Sequence, residues 1–466
     1  MRLILHAANI KKQYGIRTVL DIDKFQVYEG DKIGVVGLNG AGKSTLLGIL
    51  SGDITADEGY IDCRCNVGYI RQFDETDPTL SGGGNVKRRG AQETAVEDSI
   101  IFADEPTANL DMDGVKWVRS KLLEAKTVLL ISHDRDLLDD ICTAIIEVKD
   151  GKLNRFTGNY SDYEAAAKLA AEQLLQKHAE FARKKEQLLQ AVRVKEKKVS
   201  RQKSRKKSEL KKNPSEARLG GHKRAASMKQ QEKEAKVLKA RIDKLEDAPA
   251  PRREPKFRMD FSLTDPPQNK IVLSGEEIHF AYGDRIVFDS AAFSIPGGAK
   301  IAVTGRNGAG KTTLLRMIHN KDLQIRIAPK LKMGYLFQGL ENLDGSKTVL
   351  ENCLHASVQD RAATYSILAG LLFRGDDFGK KAEVLSGGER IRLSLAMLIS
   401  SDCNGLMLDE PTNYLDIRSI EAVRSMVIEY PGTVIVVSHD SRFVRETATH
   451  ELRVDSGKIL AVNMPV

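Results

Sequence analysis

The sequence is poor in cysteine and aromatic residues and contains no long apolar run. Its five cysteines are odd in number and scattered without a C-x-x-C pair, which excludes a disulfide framework and the common zinc modules. No apolar stretch approaches the ~18 residues that span a bilayer, and the N-terminus lacks a secretion-signal pattern. We therefore expect a cytoplasmic protein with no membrane segment. Cys63 and Cys65 have the spacing of two residues on one face of a strand.

The composition is that of a globular protein, and its positive charge is concentrated in one segment. Of 466 residues, 41% are hydrophobic and 29% are charged, which excludes a disordered or fibrous chain and predicts two or three domains. Residues 181–230 hold 18 Lys/Arg and 4 Asp/Glu, a net charge of +14, whereas the whole chain carries +8. Such a block indicates a local contact with a polyanion. The alternative is a solvated charged helix.

Four motifs occur twice in the same order, so the chain contains an internal repeat. The pairs are GLNGAGKST at 37–45 and GRNGAGKTT at 305–313, LSGG at 80–83 and 385–388, ADEPT at 103–107 and LDEPT at 408–412, and ISHD at 131–134 and VSHD at 437–440. The offset between copies grows from 268 to 305 residues between Gln72 and Ser81. The first copy therefore lacks a segment of about forty residues that the second copy has.

Between the two copies, residues 161 to about 248 have the pattern of two helices. The apolar positions that recur at coiled-coil spacing are Leu174, Phe181 and Leu188, followed by Ala235, Leu238, Ile242 and Leu245. Pro214 and Gly220 interrupt the pattern, so we expect a first helix of about forty-five residues and a basic turn near 207–227. The predicted domains are 1–160 and 269–466, called the first and second lobes, with a linker at 161–268 that forms an antiparallel helical hairpin.

The two glycine-rich loops match the phosphate-binding pattern G-x-x-x-x-G-K-[ST]. Each follows an apolar strand and precedes a helix-like run, so backbone N–H groups can surround phosphate oxygens at a helix start. Lys43 and Lys311 add positive charge. Ser44 and Thr312 offer a hydroxyl to Mg²⁺. The sequence therefore predicts two ATP sites on an α/β fold.

Two Asp-Glu pairs follow apolar strands. Asp104 and Asp409 end these strands, the edge at which doubly wound sheets bind ligands, and we expect each to hold Mg²⁺. Glu105 and Glu410 are the candidate bases that orient and deprotonate the attacking water. The alternative for an isolated Asp-Glu pair is a surface turn, which the flanking strand and Pro-Thr disfavour.

Taken together, these motifs resemble those of ATP-binding cassette (ABC) ATPases, and the resemblance covers both lobes. It rests on the LSGG signature, on the DEPT segments with Asn109-Leu110-Asp111 and Tyr414-Leu415-Asp416, and on the SHD motifs. The resemblance implies two P-loop cassettes that pair head to tail within one monomer, so that each ATP contacts one lobe's loop and the other lobe's signature. The first site would combine Lys43 with Ser386 and Gly388, and the second Lys311 with Ser81 and Gly83.

The resemblance also implies roles for single residues. Tyr14 and Tyr282 match the aromatic residue that stacks on adenine, with a core aromatic as the alternative. Gln72 and Gln338 match the glutamine that reaches Mg²⁺ and water, and His133 and His439 match the histidine at the γ-phosphate. The remaining candidate ATP ligands are Gly37, Asn39, Gly40, Gly42 and Thr45 in the first lobe, and Gly305, Asn307, Gly308, Gly310 and Thr313 in the second.

The two signatures differ in the residues that follow them. The second lobe has Glu389-Arg390 after LSGG, as the family pattern expects, whereas the first has Gly84-Asn85. Glycine weakens a helix start by ~1 kcal/mol relative to alanine. We therefore expect the second site to hydrolyse ATP more slowly.

Two cassettes joined by a long basic linker without a membrane segment resemble the ABC-F class, and within it the Vga-type resistance factors with Msr-type neighbours. The resemblance implies an ATPase that binds the 70S ribosome at the E site, near 23S rRNA and the P-site tRNA. There the linker would dislodge streptogramin A, lincosamide or pleuromutilin drugs. The alternatives are a general translation factor and a cytosolic ATPase of a membrane transporter; DNA binding is not expected. Candidate RNA contacts are Arg193, Lys197, Lys198, Arg201, Lys203, Arg205, Lys206, Lys207, Arg218, Leu219, His222, Lys223 and Arg224.

Overall fold

The computed structural model describes residues 2–70, 99–108, 110–212, 221–243, 259, 261, 264–336 and 343–462. Predicted site residues Gln72, Ser81, Gly83 and Gln338 lie outside this part of the chain. So do linker residues Arg218 and Leu219, and the stretch between Gln72 and Ser81 in which the repeat is shortened.

The first lobe contains two sheets. A three-stranded antiparallel sheet has the order β2-β1-β4, and a six-stranded sheet has the order β5-β6-β7-β3-β8-β9. The strands are β1 Leu3–Tyr14, β2 Arg17–Tyr28, β3 Lys32–Val36, β4 Glu58–Cys63, β5 Asn66–Ile70, β6 Ser99–Asp104, β7 Thr127–Ile131, β8 Ala144–Lys149 and β9 Lys152–Thr157. The helices are α1 Lys43–Leu50, α2 Met112–Glu124 and α3 Arg135–Ile141.

The centre of the six-stranded sheet is parallel because β3 pairs with β7 and β8, and β6 with β5 and β7, in the same direction. Strands buried on both faces are expected to be continuously apolar. Strand β7, of sequence TVLLI, is buried at every position. The prediction that Cys63 and Cys65 share a strand face is wrong, because β4 ends at Cys63 and Cys65 lies in the turn before β5.

The second lobe repeats this arrangement. Its sheets have the orders β11-β10-β13 and β14-β15-β16-β12-β17-β18. The strands are β10 Ile271–Tyr282, β11 Arg285–Pro296, β12 Lys300–Thr304, β13 Ile325–Ile327, β14 Met333–Leu336, β15 Gly405–Asp409, β16 Thr433–Val437, β17 His450–Asp455 and β18 Lys458–Val462.

The described part of the linker contains two helices, α4 Tyr160–Lys212 and α5 Gly221–Asp243. Helix α4 has 53 residues, longer than the predicted forty-five, because no proline or glycine interrupts 160–212. The predicted turn at 207–227 is too wide, since residues 207–212 and 221–227 are helical. None of the helices in the described part of the chain combines the length and apolar character that crossing a membrane requires.

Buried or half-buried residues of α4 recur at alternating steps of four and three positions between Phe181 and Val199. They are Phe181, Lys185, Leu188, Val192, Lys195 and Val199; Ala191, beside Val192, is also half-buried. This spacing is that of a heptad seam, and on α5 Ala235 is buried while Leu238 and Ile242 are half-buried. Lys195 forms an ion pair with Glu234, and Lys239 pairs with Glu196 at 2.9 Å. The prediction of Leu174 in the seam is wrong, since it is exposed.

The second lobe's helices are α6 Lys311–His319, α7 Val349–Ala356, α8 Arg361–Gly370, α9 Gly387–Ser400, α10 Ile417–Glu429 and α11 Ser441–Thr447. The two lobes pack as one compact unit of residues 1–163 and 256–466, and residues 164–255 form another. The predicted fold class, two α/β cassettes joined by a helical hairpin, is confirmed. The exact domain boundaries stay predictions from the repeat.

Candidate active site

Both phosphate loops end on a glycine in the left-handed conformation. Gly42 has φ 102° before α1, and Gly310 has φ 111° before α6. A Cβ atom on Gly42 would lie 2.8 Å from Val19, and one on Gly310 would lie 2.6 Å from Val287. Only glycine fits both the backbone and the space. The loop therefore delivers the first N–H groups of each helix toward the site.

The loop lysines are buried and hold their own loops in shape. Lys43 Nζ donates to the carbonyl oxygen of Gly37 at 2.8 Å, and Lys311 Nζ donates to that of Gly305 at 2.9 Å. Burial lowers the pKa of both lysines, whereas nearby Glu105 and Glu410 act in the opposite direction. The carbonyls keep each ammonium group at the mouth of the loop, where it can meet a phosphate.

The hydroxyl after each lysine bonds to the aspartate that ends the neighbouring strand. Ser44 bonds to the carboxylate of Asp104, and Thr312 to that of Asp409. Burial raises the pKa of both aspartates. One hydroxyl and one buried carboxylate are the few oxygen ligands that Mg²⁺ takes from a protein when phosphates and water complete its shell. These donor sets fit Mg²⁺.

In the first lobe a buried glutamate and a histidine face each other. Glu105 Oε1 lies 3.4 Å from His133 Nε2, and the His133 amide donates to Glu105 Oε2 at 3.3 Å. Burial raises the pKa of Glu105 to about 8 and lowers the pKa of His133 to about 4. His133 Nδ1 has no hydrogen-bond partner within the described residues. A raised pKa makes the ionised carboxylate a stronger base, which suits it to accept a proton from water.

The second lobe reproduces the pair. Glu410 Oε1 lies 3.3 Å from His439 Nε2, and burial raises the pKa of Glu410 to about 8 and lowers that of His439 to about 4. Glu105 and Glu410 have positive φ, 47° and 51°, which is rare for this residue type and recurs at functional sites. A hydrogen bond from each glutamate amide to the strand beside it holds this conformation at 2.9 Å.

A cavity of about 440 Å³ lies between the lobes at the first site. The first lobe contributes Asn39, Gly40, Gly42, Lys43, Ser44, Thr45, Asp104, Glu105 and His133 to its wall, and the second lobe contributes Ser386, Gly387 and Gly388. The volume is within the range of small-ligand sites. The predicted pairing of the first loop with the second signature is therefore present in the structure.

The second site has a cavity of about 370 Å³. Its wall includes Tyr282, Arg285, Asn307, Gly308, Gly310, Lys311, Thr312, Thr313, Asp409, Glu410 and His439. The opposing signature, Ser81 and Gly83, lies outside the described residues. Glu410, Asn413 and His439 border both cavities, so the two sites share part of their lining.

Tyr14 and Tyr282 occupy equivalent positions at the ends of β1 and β10. Both are 53% exposed, which contradicts the alternative that they are core residues. Tyr282 borders the second cavity, whereas Tyr14 is absent from the described lining of the first and has the Lys12 ammonium 5.5 Å from its ring centroid. The adenine role stays a prediction for both.

Sequence reasoning missed the role of two aspartates that cross between the lobes. Asp416 Oδ2 accepts from the amide of Asn39 at 3.3 Å, and Asp111 Oδ2 accepts from that of Asn307 at 3.3 Å. The other oxygen of each aspartate caps the following helix, α10 or α2. Their equal spacing after the two DEPT motifs was the available signal. Each phosphate loop is thus held by the opposite lobe.

The second signature starts α9 with a capping box. Ser386 Oγ accepts from the Glu389 amide at 3.3 Å, and the Ser386 amide donates to Glu389 Oε2 at 2.9 Å. A Cβ atom on Gly388 would lie 2.7 Å from the carbonyl oxygen of Tyr414 and 3.6 Å from Asn39 of the other lobe. Glycine therefore lets the start of α9 lie close to the Tyr414 backbone of its own lobe, while the other lobe lies at ordinary contact distance.

Four of the candidate RNA contacts have described side chains, all exposed on α4: Arg193, Lys197, Lys198 and Arg201. Lys203, Arg205, Lys206 and Lys207 are helical in α4, and His222, Lys223 and Arg224 are helical at the start of α5, with side chains outside the description. The prediction that His222–Arg224 occupy the turn is wrong, because α5 already begins at Gly221.

Comparison with known proteins agrees with this geometry. The ABC transporter family model matches residues 20–96 and 288–413. The chain is 29% identical to the erythromycin resistance ATP-binding protein MsrA of Staphylococcus epidermidis over 92% of its length and 93% of the relative's. It is 28% identical to the ribosome protection protein VmlR of Bacillus subtilis over 98% and 88% of the two chains.

A solved structure of an RNase-L inhibitor matches the fold with a TM-score of 0.62 at 19% identity, covering 98% of this chain and 90% of that one. The repeated loops, signatures and Asp-Glu pairs, the matched family model and the whole-length similarity to these relatives point to one conclusion. The chain is a twin-cassette, ATP-hydrolysing ABC ATPase, and it is similar over nearly its whole length to these resistance and ribosome protection proteins and to an ABC transporter F family member of Arabidopsis thaliana.

Proposed function

We propose that the chain protects ribosomes from antibiotics. In the ATP-bound state it binds the 70S ribosome at the E site, beside the P-site tRNA, and its linker acts on the large subunit to displace a streptogramin A, lincosamide or pleuromutilin drug. A cytoplasmic location accompanies this role. The observation that carries the proposal is the basic linker between paired nucleotide sites, in a chain similar to MsrA and VmlR over nearly its whole length.

In this proposal ATP joins the lobes at the first site. The phosphates occupy the loop at Lys43 while the N–H groups at the start of α9, behind Ser386 and Gly388, face the γ-phosphate from the other lobe. Mg²⁺, held by Ser44 and Asp104, neutralises phosphate charge when bound. Glu105 takes a proton from the attacking water, and His133 is neutral beside it.

The second site works in the same way with Lys311, Thr312, Asp409, Glu410 and His439. Gln72 and Gln338 are proposed to complete the two Mg²⁺ sites, and Ser81 and Gly83 to close the second site. Loss of the γ-phosphate after hydrolysis removes the group that both lobes contact, so the lobes separate and the protein leaves its target.

The linker supplies affinity for RNA. Arg193, Lys197 and Arg201 are exposed and four residues apart, which aligns them along one side of α4. Cations in such a row contact successive phosphates and bind without reading sequence. The residues nearer the turn, including Leu219, are proposed to determine which drug is displaced.

The test is expression in a susceptible bacterium followed by measurement of minimal inhibitory concentrations across large-subunit drugs. We expect resistance to at least one of the three classes from the wild-type chain and none from the Glu105→Gln/Glu410→Gln variant. The same variant, purified, should co-sediment with 70S ribosomes in the presence of ATP. Resistance that survives loss of both glutamates contradicts the proposal.

The same experiment separates the alternatives. Ribosome binding with an unchanged resistance profile would indicate a general translation factor. Sedimentation with membranes instead of ribosomes would indicate a transporter ATPase.

A further inference from the structure

Two ion pairs join the lobes beside the histidine of the first site. Arg135, two residues after His133, bonds through a terminal guanidinium nitrogen to Glu421 Oε1 on α10 at 2.6 Å. Asp136 is paired with Arg445 on α11 at 3.2 Å. Both contacts leave the start of α3 in the first lobe and end in the second lobe. They lie outside the nucleotide cavity and take no part in the chemistry described above.

The repeat shows that the Arg135 contact exists on one side only. In the second lobe, Ser441 occupies the position equivalent to Arg135. In the first lobe, Lys116 occupies the position equivalent to Glu421. A serine and a lysine cannot form an ion pair, so the contact is specific to the first site.

Arg135 also balances negative charge at the interface. Asp134 and Asp440, from the SHD motifs of the two lobes, are buried and close enough to repel each other. Burial, reinforced by Asp440, raises the pKa of Asp134 to about 6. The Arg135 side chain is only 9% exposed and acts to lower the pKa of Asp440. Closing the lobes brings these like charges together, and the buried guanidinium near Asp440 favours that approach.

The same guanidinium lies over the first residue of the linker helix. Its central carbon is 5.6 Å from the centroid of the Tyr160 ring, within the range of a cation–π contact. Tyr160 is 5% exposed and packs in a cluster that also receives Ile417, the first residue of α10. Ser161 donates from its amide and hydroxyl to Asp139 of α3, at 2.7 and 2.6 Å. Arg135 therefore contacts the second lobe and the root of α4 at once.

We propose that Arg135 is a positioning residue that transmits ATP-driven pairing of the lobes at the first site to the first turn of α4. When Glu421 arrives, the guanidinium is fixed between the carboxylate and the Tyr160 ring, and the helix start is held with it. Without the second lobe, Arg135 loses its bond to Glu421, and its guanidinium is held less firmly over the Tyr160 ring. The proposal needs ATP-dependent pairing but not the ribosome.

Hydrogen–deuterium exchange of the full chain tests this in the Glu105→Gln/Glu410→Gln background, which retains ATP. We expect ATP to slow exchange of the amides of residues 160–166 by about tenfold, and by less than about twofold after Arg135→Ala. Lys116→Ala, a control at the first-lobe position that is equivalent to Glu421, should leave the ATP effect intact.

A variant in which the charges of Arg135 and Glu421 are swapped distinguishes the effect of Arg135 on pairing of the lobes from its effect on the start of α4. In the hydrolysis-competent chain, Arg135→Ala should raise the KM for ATP by about fivefold because a contact of the closed state is lost. Arg135→Glu combined with Glu421→Arg restores the ion pair and should restore KM. The swap places no cation over Tyr160, so ATP should still fail to slow hydrogen–deuterium exchange at 160–166.

Three results would overturn the proposal. The first is faster exchange at 160–166 in Arg135→Ala to the same extent with and without ATP, which is the signature of a purely structural role. The second is an equal effect of Lys116→Ala. The third is an Arg135→Glu/Glu421→Arg variant in which ATP again slows hydrogen–deuterium exchange at 160–166. That result would show that transmission does not depend on the cation over the Tyr160 ring. Each reading is made on purified protein, so it is independent of any failure of ribosome binding.

Discussion

The glutamate that follows each catalytic strand combines burial, a strained backbone and a neutral histidine. Glu105 and Glu410 are held with positive φ and face His133 and His439 at 3.4 and 3.3 Å. Burial opposes ionisation of the carboxyl group and also of the imidazole. Before nucleotide binds, the glutamic acid and the histidine of each pair are therefore both uncharged near neutral pH. The pKa of each residue lies far from its ordinary value.

Removing the first carboxyl should change how stability depends on pH. The pKa of Glu105 is about 8 in the folded chain against 4.5 for the free group, so stability falls as pH rises between these values. His133 contributes nothing above pH 6.5, because its folded pKa is about 4. We expect nucleotide-free Glu105→Gln to gain about 2 °C in Tm relative to wild type between pH 6.5 and 8.5.

Differential scanning calorimetry at the two pH values measures this. Glu124→Gln, on the exposed end of α2, is the control, because the pKa of Glu124 is lowered by a hydrogen bond to Lys121 and not raised. An equal gain in both variants would contradict a buried, proton-retaining Glu105.

The sequence could predict the role of a residue where that residue acts together with its neighbours along the chain. Lys43, Ser44 and Asp104 follow from motifs in which chain neighbours form the site, and the structure brings them together. Asp416 and Arg135 act across the lobes, and no local pattern shows which surface of one lobe meets the other. Tyr14 and Tyr282 are intermediate cases. Their spacing before the phosphate loops identified them in the sequence, but it did not show how far each side chain lies from the cavity.

The start of α9 gives a physical reason to expect two unequal sites. Glu389 closes the capping box on Ser386, and the equivalent residue of the first lobe in the sequence is Gly84. A capping box satisfies two N–H groups that are otherwise left unpaired, and losing it costs about 1 kcal/mol. From the sequence we therefore expect the signature that serves the second site to favour a helix start less than the one that serves the first.

We expect Glu105→Gln to lower steady-state ATPase activity more than Glu410→Gln, because the first site carries most of the turnover. Glu389→Gly should bring the two single variants closer together by slowing the first site. Glu389→Gln, which can still close the capping box, is its control. Equal loss of activity in Glu105→Gln and Glu410→Gln, measured by phosphate release, would rule out the asymmetry.

The linker hairpin depends on a narrow seam. The heptad pattern was visible in the sequence at Phe181 and Leu188, but Val192 and Val199 were missed because lysines occupy alternate seam positions. Lysine can bury its aliphatic stem and keep its charge in water. A lysine in the seam therefore interrupts the apolar pattern of the sequence without disrupting the packing of the two helices. The length of α4 was underestimated because charged residues give a weak periodic signal.

A charge in this seam should open the hairpin. Val192 is 4% exposed and Val194, two residues on, is 53% exposed. Val192→Asp should raise hydrogen exchange of amides 185–200 by at least tenfold, since burying an unpaired carboxylate costs several kcal/mol. Val194→Asp provides the matched control and should leave exchange unchanged. Similar protection in the two variants would show that the seam does not stabilise the hairpin.

At the level of the whole chain, charge and chemistry are separated. The linker segment 181–230 carries +14, which leaves −6 on the remainder, the part that holds both nucleotide sites. An acidic body disfavours non-specific contact with RNA, so affinity is concentrated on the linker. The sequence predicted this division because charges can be counted along the chain, and the resemblance predicted which loop faces which signature. The individual contacts between the lobes, such as Arg135 with Glu421, were visible only in the structure.

Binding to 70S ribosomes should therefore depend on salt through the linker. In the Glu105→Gln/Glu410→Gln background with ATP, replacing Arg193, Lys197 and Arg201 by alanine should reduce the slope of log K against log salt by about 2. Lys168→Ala/Lys177→Ala, exposed cations nearer the root of α4, is the comparison and should change the slope little. Fluorescence titration between 50 and 200 mM salt gives the slopes, within the range in which phosphate contacts dominate. An unchanged slope in the triple variant would remove these residues from the RNA interface.

The two nucleotide cavities share part of their lining, because Glu410, Asn413 and His439 border both of them. Nucleotide bound in the first cavity should therefore change the surroundings of Glu410, which serves the second site. We expect the two hydrolysis steps to influence each other through these residues.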